Sequence, residues 1–256
     1  MSSGAAGPLA GVRVVVTRPR AQAASLVAAL EARGALAIPV PVIAIEDPPD
    51  GGLALRAGLR ALRANDWVVI TSPNGADRVA VAVSEVALTD GVQVAVVGPG
   101  TKARAEQLGL PVDLVPEDAI AEGLLAAFPP RPINGGRVLL ARAEIAREML
   151  PVQLQMAGWQ VDEIVTYRTV KVDVDEASRA AVASADAVLF TSGSTVEGLV
   201  DAVGVNGLPP IVGSIGPATS AVADALGARV TVEADEHTIP GLVDALANHL
   251  AGSEAE

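Results

Sequence analysis

Short segments rich in Ser, Thr and Gly stand at four places where an apolar run gives way to an amphipathic stretch. Their candidate binding residues are Thr71, Ser72, Asn74, Gly98, Thr101, Thr191, Ser192, Ser194, Gly216 and Thr219. Backbone N–H groups at the start of a helix, together with the helix dipole, attract anions. One such turn alone indicates only a helix N-cap. Four related turns predict an anion-binding cleft.

Two arginines follow apolar runs that resemble each other. Arg18 comes after GVRVVVT and Arg142 after GGRVLLA, and Thr17 stands directly before Arg18. A guanidinium group at the end of a strand is suited to a bidentate pair with a carboxylate. These residues therefore predict recognition of a carboxylate ligand. The alternative is an ordinary surface ion pair with one of the 30 Asp and Glu residues.

Tyr167 is the only tyrosine of the chain, and it lies in a run rich in β-branched residues. Its phenol can donate a proton or a hydrogen bond to a ligand. On composition alone, the favoured interpretation is an ordinary aromatic residue of a strand. The two histidines, His237 and His249, have no neighbouring Ser and Asp that would indicate a catalytic triad.

The segment Gly98 to Ala103 also fits the G-x-G-x-x-A pattern of dinucleotide-binding turns, with Glu117 and Asp118 about 20 residues on. The match is weak because Pro99 occupies the tight turn and the related segment at Gly216 lacks the second glycine. A nicotinamide-dependent oxidoreductase therefore stays a minor alternative.

The composition excludes several classes of protein. The chain has 256 residues, of which 50% are hydrophobic, a formal charge of −12 and no cysteine. We therefore expect no nucleic-acid binding, no disulfides and no metal site of the cysteine or histidine-rich types. The first residues show neither a charged region nor a long apolar run, and the longest uncharged stretch is broken by Gly and Pro. We expect no signal peptide, no membrane span and a cytoplasmic location.

The elements that position these residues occur twice. Apolar β-branched runs, among them Ala37–Ile45, Val112–Val115 and Ala228–Val232, predict strands. They alternate with Ala- and Leu-rich amphipathic stretches, which is typical of βα units on a parallel sheet. DWVVITSPNG matches DAVLFTSGST 120 residues on, and VVGPGTKARA matches SIGPATSAVA 118 residues on. The sequence therefore predicts two copies of one α/β fold. A tandem arrangement would divide them near residue 130, whereas an interleaved one would join the first βα unit to the last third of the chain.

The order and spacing of several motifs resemble the uroporphyrinogen-III synthase family along essentially the whole chain. The motifs are VTRP at 16–19, ITSPNG at 70–75, VG at 97–98 followed by Thr101, TYRT at 166–169, FTSGS at 190–194, IGPAT at 215–219 and TIPGL at 238–242. One departure is Ala143, where the family pattern leads us to expect Gly after Arg142.

The resemblance implies the interleaved arrangement: two similar parallel-sheet α/β lobes joined by a two-stranded β-ladder hinge. Lobe one comprises residues 1–38 and 173–256, lobe two is inserted as residues 46–163, and residues 39–45 and 164–172 form the ladder.

The resemblance also implies the reaction. The linear tetrapyrrole hydroxymethylbilane loses water and closes to uroporphyrinogen III with inversion of ring D, without a cofactor or a metal. Tyr167 is then the expected proton or hydrogen-bond donor, with Thr101 and Thr219 as substrate-binding positions. We expect a monomer that contacts hydroxymethylbilane synthase transiently. The main alternative is a bilobal small-molecule binding or ligand-sensing protein without catalysis.

Overall fold

The structure, a computed structural model, describes residues 7–133 and 136–253 and divides into two compact units. Unit 1 consists of Met1–Ala44 with Val170–Glu256, and unit 2 of Ile45–Thr169. In chain order the strands are β1 (Arg13–Val16), β2 (Leu36–Pro39), β3 (Ile43–Glu46), β4 (Trp67–Ile70), β5 (Gln93–Val96), β6 (Arg137–Ala143), β7 (Gln160–Lys171), β8 (Ala187–Phe190), β9 (Ile211–Ser214) and β10 (Val232–Glu233). The helices are α1 (Arg20–Glu31), α2 (Leu53–Ala61), α3 (Pro73–Val86), α4 (Pro99–Gln107), α5 (Ala121–Ala127), α6 (Met149–Met156), α7 (Glu176–Ala183), α8 (Gly193–Val203), α9 (Pro217–Ala225) and α10 (Ile239–Ser253), with a short 3-10 turn at Val205–Gly207.

Unit 1 contains a parallel sheet in the order β10-β9-β8-β1-β2. Val14 of β1 lies opposite Ala37 of β2 on one side and Ala187 of β8 on the other. The first and last parts of the chain therefore contribute adjoining strands, β1 and β8, to one sheet, which excludes the tandem arrangement. Val14 packs with helices α1 and α10, while Val15 packs on the other face with α8. Because both faces of the sheet are covered, Val14, Val15 and Val16 of β1 are all apolar, and β1 does not alternate between apolar and polar residues.

Unit 2 repeats this architecture from a continuous stretch of chain. Its sheet has the order β3-β7-β6-β4-β5, and Val68 of β4 lies opposite Val94 of β5 and Leu139 of β6. The order β5-β4-β6-β7 corresponds to β9-β8-β1-β2 of unit 1. The internal repeat predicted from the sequence is thus present in the fold, and the mixed α/β class with two parallel sheets is confirmed.

Three predicted strands are wrong in extent. The run Ala37–Ile45 divides into β2 and β3, which belong to different sheets, because Pro39 and Pro41 have no N–H to continue a ladder. The run Val112–Val115 makes a single bridge from Leu114 to Ala95. The run predicted over Ala228–Val232 is reduced to the two residues of β10.

None of the helices in the described ranges is long and apolar enough to cross a membrane.

Gly123 and Gly241 stand 118 residues apart at equivalent places of the repeat, each followed by Leu, and both lie where a side chain would not fit. A Cβ atom on either glycine would lie 2.2 Å from a backbone carbonyl oxygen, that of Asp118 or of Glu236. Such an overlap forces the backbone to move, at a typical cost of about 1–3 kcal/mol. We expect Gly241→Ala to lower the melting temperature of the protein by several degrees.

The control for this variant is Gly252→Ala on the same helix α10, where a Cβ would meet no atom within 4 Å. Thermal unfolding followed by circular dichroism compares the two. Equal melting temperatures for both variants would contradict the packing argument.

Candidate active site

Tyr167 lies at the carboxyl edge of unit 2 and is only 7% exposed. Its phenol oxygen is 3.0 Å from Ser72 Oγ, and either hydroxyl can be the donor. Ser72 is the N-cap of α3 and accepts a hydrogen bond from Gly75 N at 3.1 Å. That bond leaves Ser72 with its hydrogen and one further lone pair, so Ser72 can donate to the phenol oxygen or accept from it. When Ser72 is the donor, the phenol hydrogen is available to a ligand.

A bulge between β6 and β7 determines which residue faces Tyr167. Arg142 pairs with Val165, but the next residue, Ala143, pairs with Tyr167. Thr166 Oγ1 donates to the Arg142 carbonyl oxygen at 3.1 Å and strengthens the irregular pairing. Ala143 continues β6, and it is not among the described residues with positive φ, so the glycine expected there is not required. Bulges of this kind commonly redirect side chains next to active sites.

Arg142 is 6% exposed, and protein oxygens occupy its guanidinium group. It donates to Glu163, to Glu148 Oε1 at 2.8 Å and to the Ala146 carbonyl oxygen at 2.7 Å. The hydrogen bond from Arg142 to Glu148 raises the pKa of the Arg142 guanidinium and lowers the pKa of the Glu148 carboxyl. The Arg142 side chain thus binds Ala146 and Glu148 in the segment that follows β6. A contact between Arg142 and a substrate stays a prediction.

A cavity of about 220 Å³ opens at this edge of unit 2. Its walls are formed by residues from β6, from the starts of α5 and α6 and from the loops beside them; they are Thr71, Val97, Ala121, Leu140, Arg142, Ala146, Arg147 and Leu150. Thr71, one of the predicted binding residues, donates weakly to the Ala141 carbonyl oxygen at 3.5 Å. Several apolar side chains and the guanidinium group of Arg147 make the cavity suited to an anionic ligand with an apolar body.

Arg147 and the apolar wall of this cavity are absent from the residues predicted from the sequence. Arg147 stands on the irregular loop after β6, where neither helix nor strand periodicity marks a residue for attention. The single available signal is its position five residues after Arg142.

In unit 1, Arg18 lies at the end of β1 and is half-buried, and burial lowers the pKa of its guanidinium group. Within residues 7–133 and 136–253, no carboxylate forms an ion pair with it. The neighbouring Thr17 is fully buried, and its Oγ1 has no hydrogen-bond partner in that same part of the chain. This corner of unit 1 therefore combines a cation without a counterion and an unused hydroxyl.

The predicted turns lie at helix starts in both units. Gly98 and Gly216 are the N-caps of α4 and α9, and neither helix has a side-chain cap. Thr101 and Thr219, in the first turns of these helices, are both 5% exposed. Pro99 and Pro217 begin these helices without an N–H group, and Thr219 N donates to the Gly216 carbonyl oxygen at 3.0 Å. The N–H groups of Gly100 and Ala218 in these first turns are left for a ligand or water.

The turn at the start of α8 differs from its counterpart at α3. Ser192 Oγ lies 3.1 Å from Ser194 Oγ and makes no capping bond to the backbone. Thr191 follows β8 as Thr71 follows β4, and Asn74 lies in the first turn of α3. In unit 2 the hydroxyl of Tyr167 therefore contacts Ser72 at the start of α3. In unit 1 the hydroxyl of Ser194 contacts the equivalent Ser192 at the start of α8.

The glycines of the G-x-G-x-x-A segment do not have the features that a dinucleotide turn needs. A Cβ on Gly100 would meet no atom within 4 Å, and one on Gly98 would make only ordinary contact with Ala119. Neither glycine has positive φ. The segment is a helix start with Pro99 as its first residue. In the described part of the chain, no three His, Asp or Glu side chains cluster as metal ligands would.

A model of the family described as uroporphyrinogen-III synthase HemD matches residues 24–244 of the chain. The chain is 32% identical over 254 residues to the uroporphyrinogen-III synthase of Synechococcus elongatus, covering 93% of this chain and 96% of the relative. It is 29% identical over 254 residues to the chloroplastic uroporphyrinogen-III synthase of Oryza sativa, covering 94% of this chain and 83% of the relative.

Solved structures agree on the fold. A mutant uroporphyrinogen III synthase from Thermus thermophilus superposes with a TM-score of 0.66 at 17% identity, covering 94% of this chain and all of that one (100%). Uroporphyrinogen-III synthetase from Helicobacter pylori superposes with a TM-score of 0.59 at 13% identity, covering 95% of this chain and 99% of that one. At these identities the likeness concerns the fold alone.

Proposed function

The chain belongs to the uroporphyrinogen-III synthase family, and we propose that it closes hydroxymethylbilane to uroporphyrinogen III with loss of water and inversion of ring D. The observation that carries the proposal is the family match over residues 24–244. The enzyme is accordingly a cyclising lyase of tetrapyrrole biosynthesis. The alternative of a binding or sensing protein is not favoured, because the curated relatives are named as synthases.

Local hydrogen-bond donors, and not the net charge of the protein, would bind a polycarboxylate substrate. The protein carries a formal charge of −12, so long-range attraction does not recruit an anionic ligand. Local donors must bind its acetate and propionate groups instead. In unit 1 these donors are Arg18 and the starts of α8 and α9, and in unit 2 they are the starts of α3 and α4. Backbone N–H groups at helix starts suit carboxylates without adding mobile charge.

Tyr167 is the proposed donor to the leaving hydroxyl of the substrate. In the proposed arrangement, which the 3.0 Å contact permits, Ser72 is the donor to the phenol oxygen and the phenol hydrogen is left for the substrate. When the C–O bond breaks, the proton from Tyr167 leaves with the hydroxyl as water and Tyr167 becomes a phenolate. The substituted carbon of ring D attacks the carbon that lost the hydroxyl and forms a spiro intermediate. The bond from that ring D carbon to its own methylene bridge then breaks and re-forms at the unsubstituted carbon of ring D, whose proton returns to the phenolate. The protein's main contribution is to hold the conformation in which this attack occurs.

The experiment that tests the function is an isomer assay. Hydroxymethylbilane is generated in situ, incubated with the purified protein and oxidised, and the porphyrin isomers are separated by chromatography. Without an enzyme the bilane closes to the type I isomer. We expect type III to dominate; type I alone, from protein shown to be folded, would exclude synthase activity.

Several predictions from the sequence accompany this proposal. The monomeric state, the cytoplasmic location, the transient contact with hydroxymethylbilane synthase and the connecting role of residues 39–45 and 164–172 stay predictions. They are supported by the family resemblance, and for the connecting segments also by the position of β3 beside β7.

A further inference from the structure

We infer that the unit 2 cavity binds one pyrrole ring of the substrate and that Arg147 binds a carboxylate of that ring. The inference rests on the proposed function and specifies how one part of the substrate is held. Sites that enclose a whole drug-sized ligand usually measure about 300–1,000 Å³. A cavity of about 220 Å³ is too small for four substituted rings, but it is suited to a single ring.

The wall of the cavity provides an apolar surface for the face of such a ring. Leu140 on β6 and Leu150 on α6 contribute to it, together with Val97 and Ala121. Leu140 and Leu150 are buried members of the hydrophobic cluster that also contains Trp67 and Trp159. A rigid cluster behind the wall keeps the cavity open and its shape constant. Burial of an aromatic ring against this wall is favourable because apolar surface leaves water.

The charges around the cavity single out Arg147 as the cation that meets the ligand. Arg142 is already compensated by Glu163 and Glu148. Arg147 is exposed, and in the described ranges no carboxylate, including those of Glu144 and Glu148, lies within ion-pair distance of it. An arginine without a partner binds a carboxylate without first breaking another ion pair.

Arg142 has a positioning role in this arrangement. Its guanidinium group donates to the carbonyl oxygen of Ala146, the residue directly before Arg147. It also binds Glu148, the residue directly after Arg147. Both neighbours of Arg147 are therefore held by one buried side chain. This restricts the loop and reduces the conformational entropy that Arg147 loses when it binds a ligand.

The first test is steady-state kinetics of Arg147→Gln with hydroxymethylbilane. We expect KM to rise about tenfold while kcat stays within about twofold, because the contact is made equally in the ground state and the transition state. Added salt should raise the KM of the unchanged protein relative to that of the variant, because screening weakens the contact that only the unchanged protein makes. The matched control is Arg60→Gln, another exposed arginine, on α2 and outside the cavity wall. An unchanged KM in Arg147→Gln would overturn the role of Arg147.

The second test measures binding without turnover. The probe is a monopyrrole that carries one acetate and one propionate. Its binding is measured by calorimetry and by tryptophan fluorescence, since Trp67 and Trp159 belong to the same hydrophobic cluster as Leu140 and Leu150 of the wall. We expect the diacid to bind, its diester to bind at least tenfold more weakly, and Arg147→Gln to lose about tenfold in affinity for the diacid. No binding of the diacid to the unchanged protein would overturn the assignment of the cavity. If the isomer assay yields type I alone while the diacid binds through Arg147, the proposed function fails and the carboxylate site stands.

Discussion

Replacement of Tyr167 by Phe is expected to lower kcat by about 100-fold or more, because a positioned proton donor typically contributes about 10²–10⁴ to the rate. The ring of Tyr167 packs as before, so the protein still folds. The variant loses one hydrogen bond to Ser72, which is worth about 1 kcal/mol of stability. Formation of type III porphyrin under saturating substrate measures the effect, and thermal unfolding establishes that the fold persists.

The matched control is Ser84→Ala, which removes a hydroxyl at the far end of helix α3 where it donates to the Val81 carbonyl oxygen. It should leave kcat unchanged. Ser72→Ala should lower kcat less than Tyr167→Phe, and the double variant should be no slower than the tyrosine variant alone, because the two hydroxyls act in series. Near-normal turnover by Tyr167→Phe would remove Tyr167 from the mechanism.

Replacement of Arg18 by Met is expected to have opposite effects on stability and on substrate binding. In the free protein the guanidinium group is half-buried without a counterion among the described residues, so an apolar side chain of similar length removes a desolvation cost. A gain of about 1 kcal/mol would raise the melting temperature by roughly 2–4 °C. Loss of a charged hydrogen bond to a substrate carboxylate should raise KM about tenfold or more.

Arg229→Met is the control for this result, since Arg229 is an exposed arginine of unit 1 without an ion pair to any residue that the structure describes. It should change neither the melting temperature nor KM. A lower melting temperature for Arg18→Met would mean that the charge of Arg18 is already compensated in the free protein. An unchanged KM would exclude Arg18 from the substrate site.

The fold was largely predictable because each sheet is covered on both faces, so its strands read as continuous apolar runs. The repeat between the segments at Thr71 and Thr191 identified two copies of one architecture. Which strand lies beside β1 was not predictable from the pattern alone. Tandem and interleaved arrangements give the same periodicity, and only the pairing of Val14 with Ala187 distinguishes them.

The candidate site was less predictable because its contacts join residues far apart in sequence. Tyr167 meets Ser72 across 95 positions, at a bulge that no local signal marks. Arg142 was interpreted as a cation free for substrate, but the strand register places Glu163 on the adjacent β7, where it binds Arg142. A charged residue can be identified from sequence, whereas its counterion depends on register.

The position of β1 between β2 and β8 also affects the order in which the protein folds during synthesis. Unit 2 is a continuous stretch and can fold as it leaves the ribosome, whereas β1 ends at Val16 and its neighbour β8 begins at Ala187. At ribosomal speeds of about 5–20 residues per second, this partner arrives roughly 10–30 s later. During that interval the edge of β1 that pairs with β8 is without its partner, and an unpaired apolar strand edge is a site of aggregation.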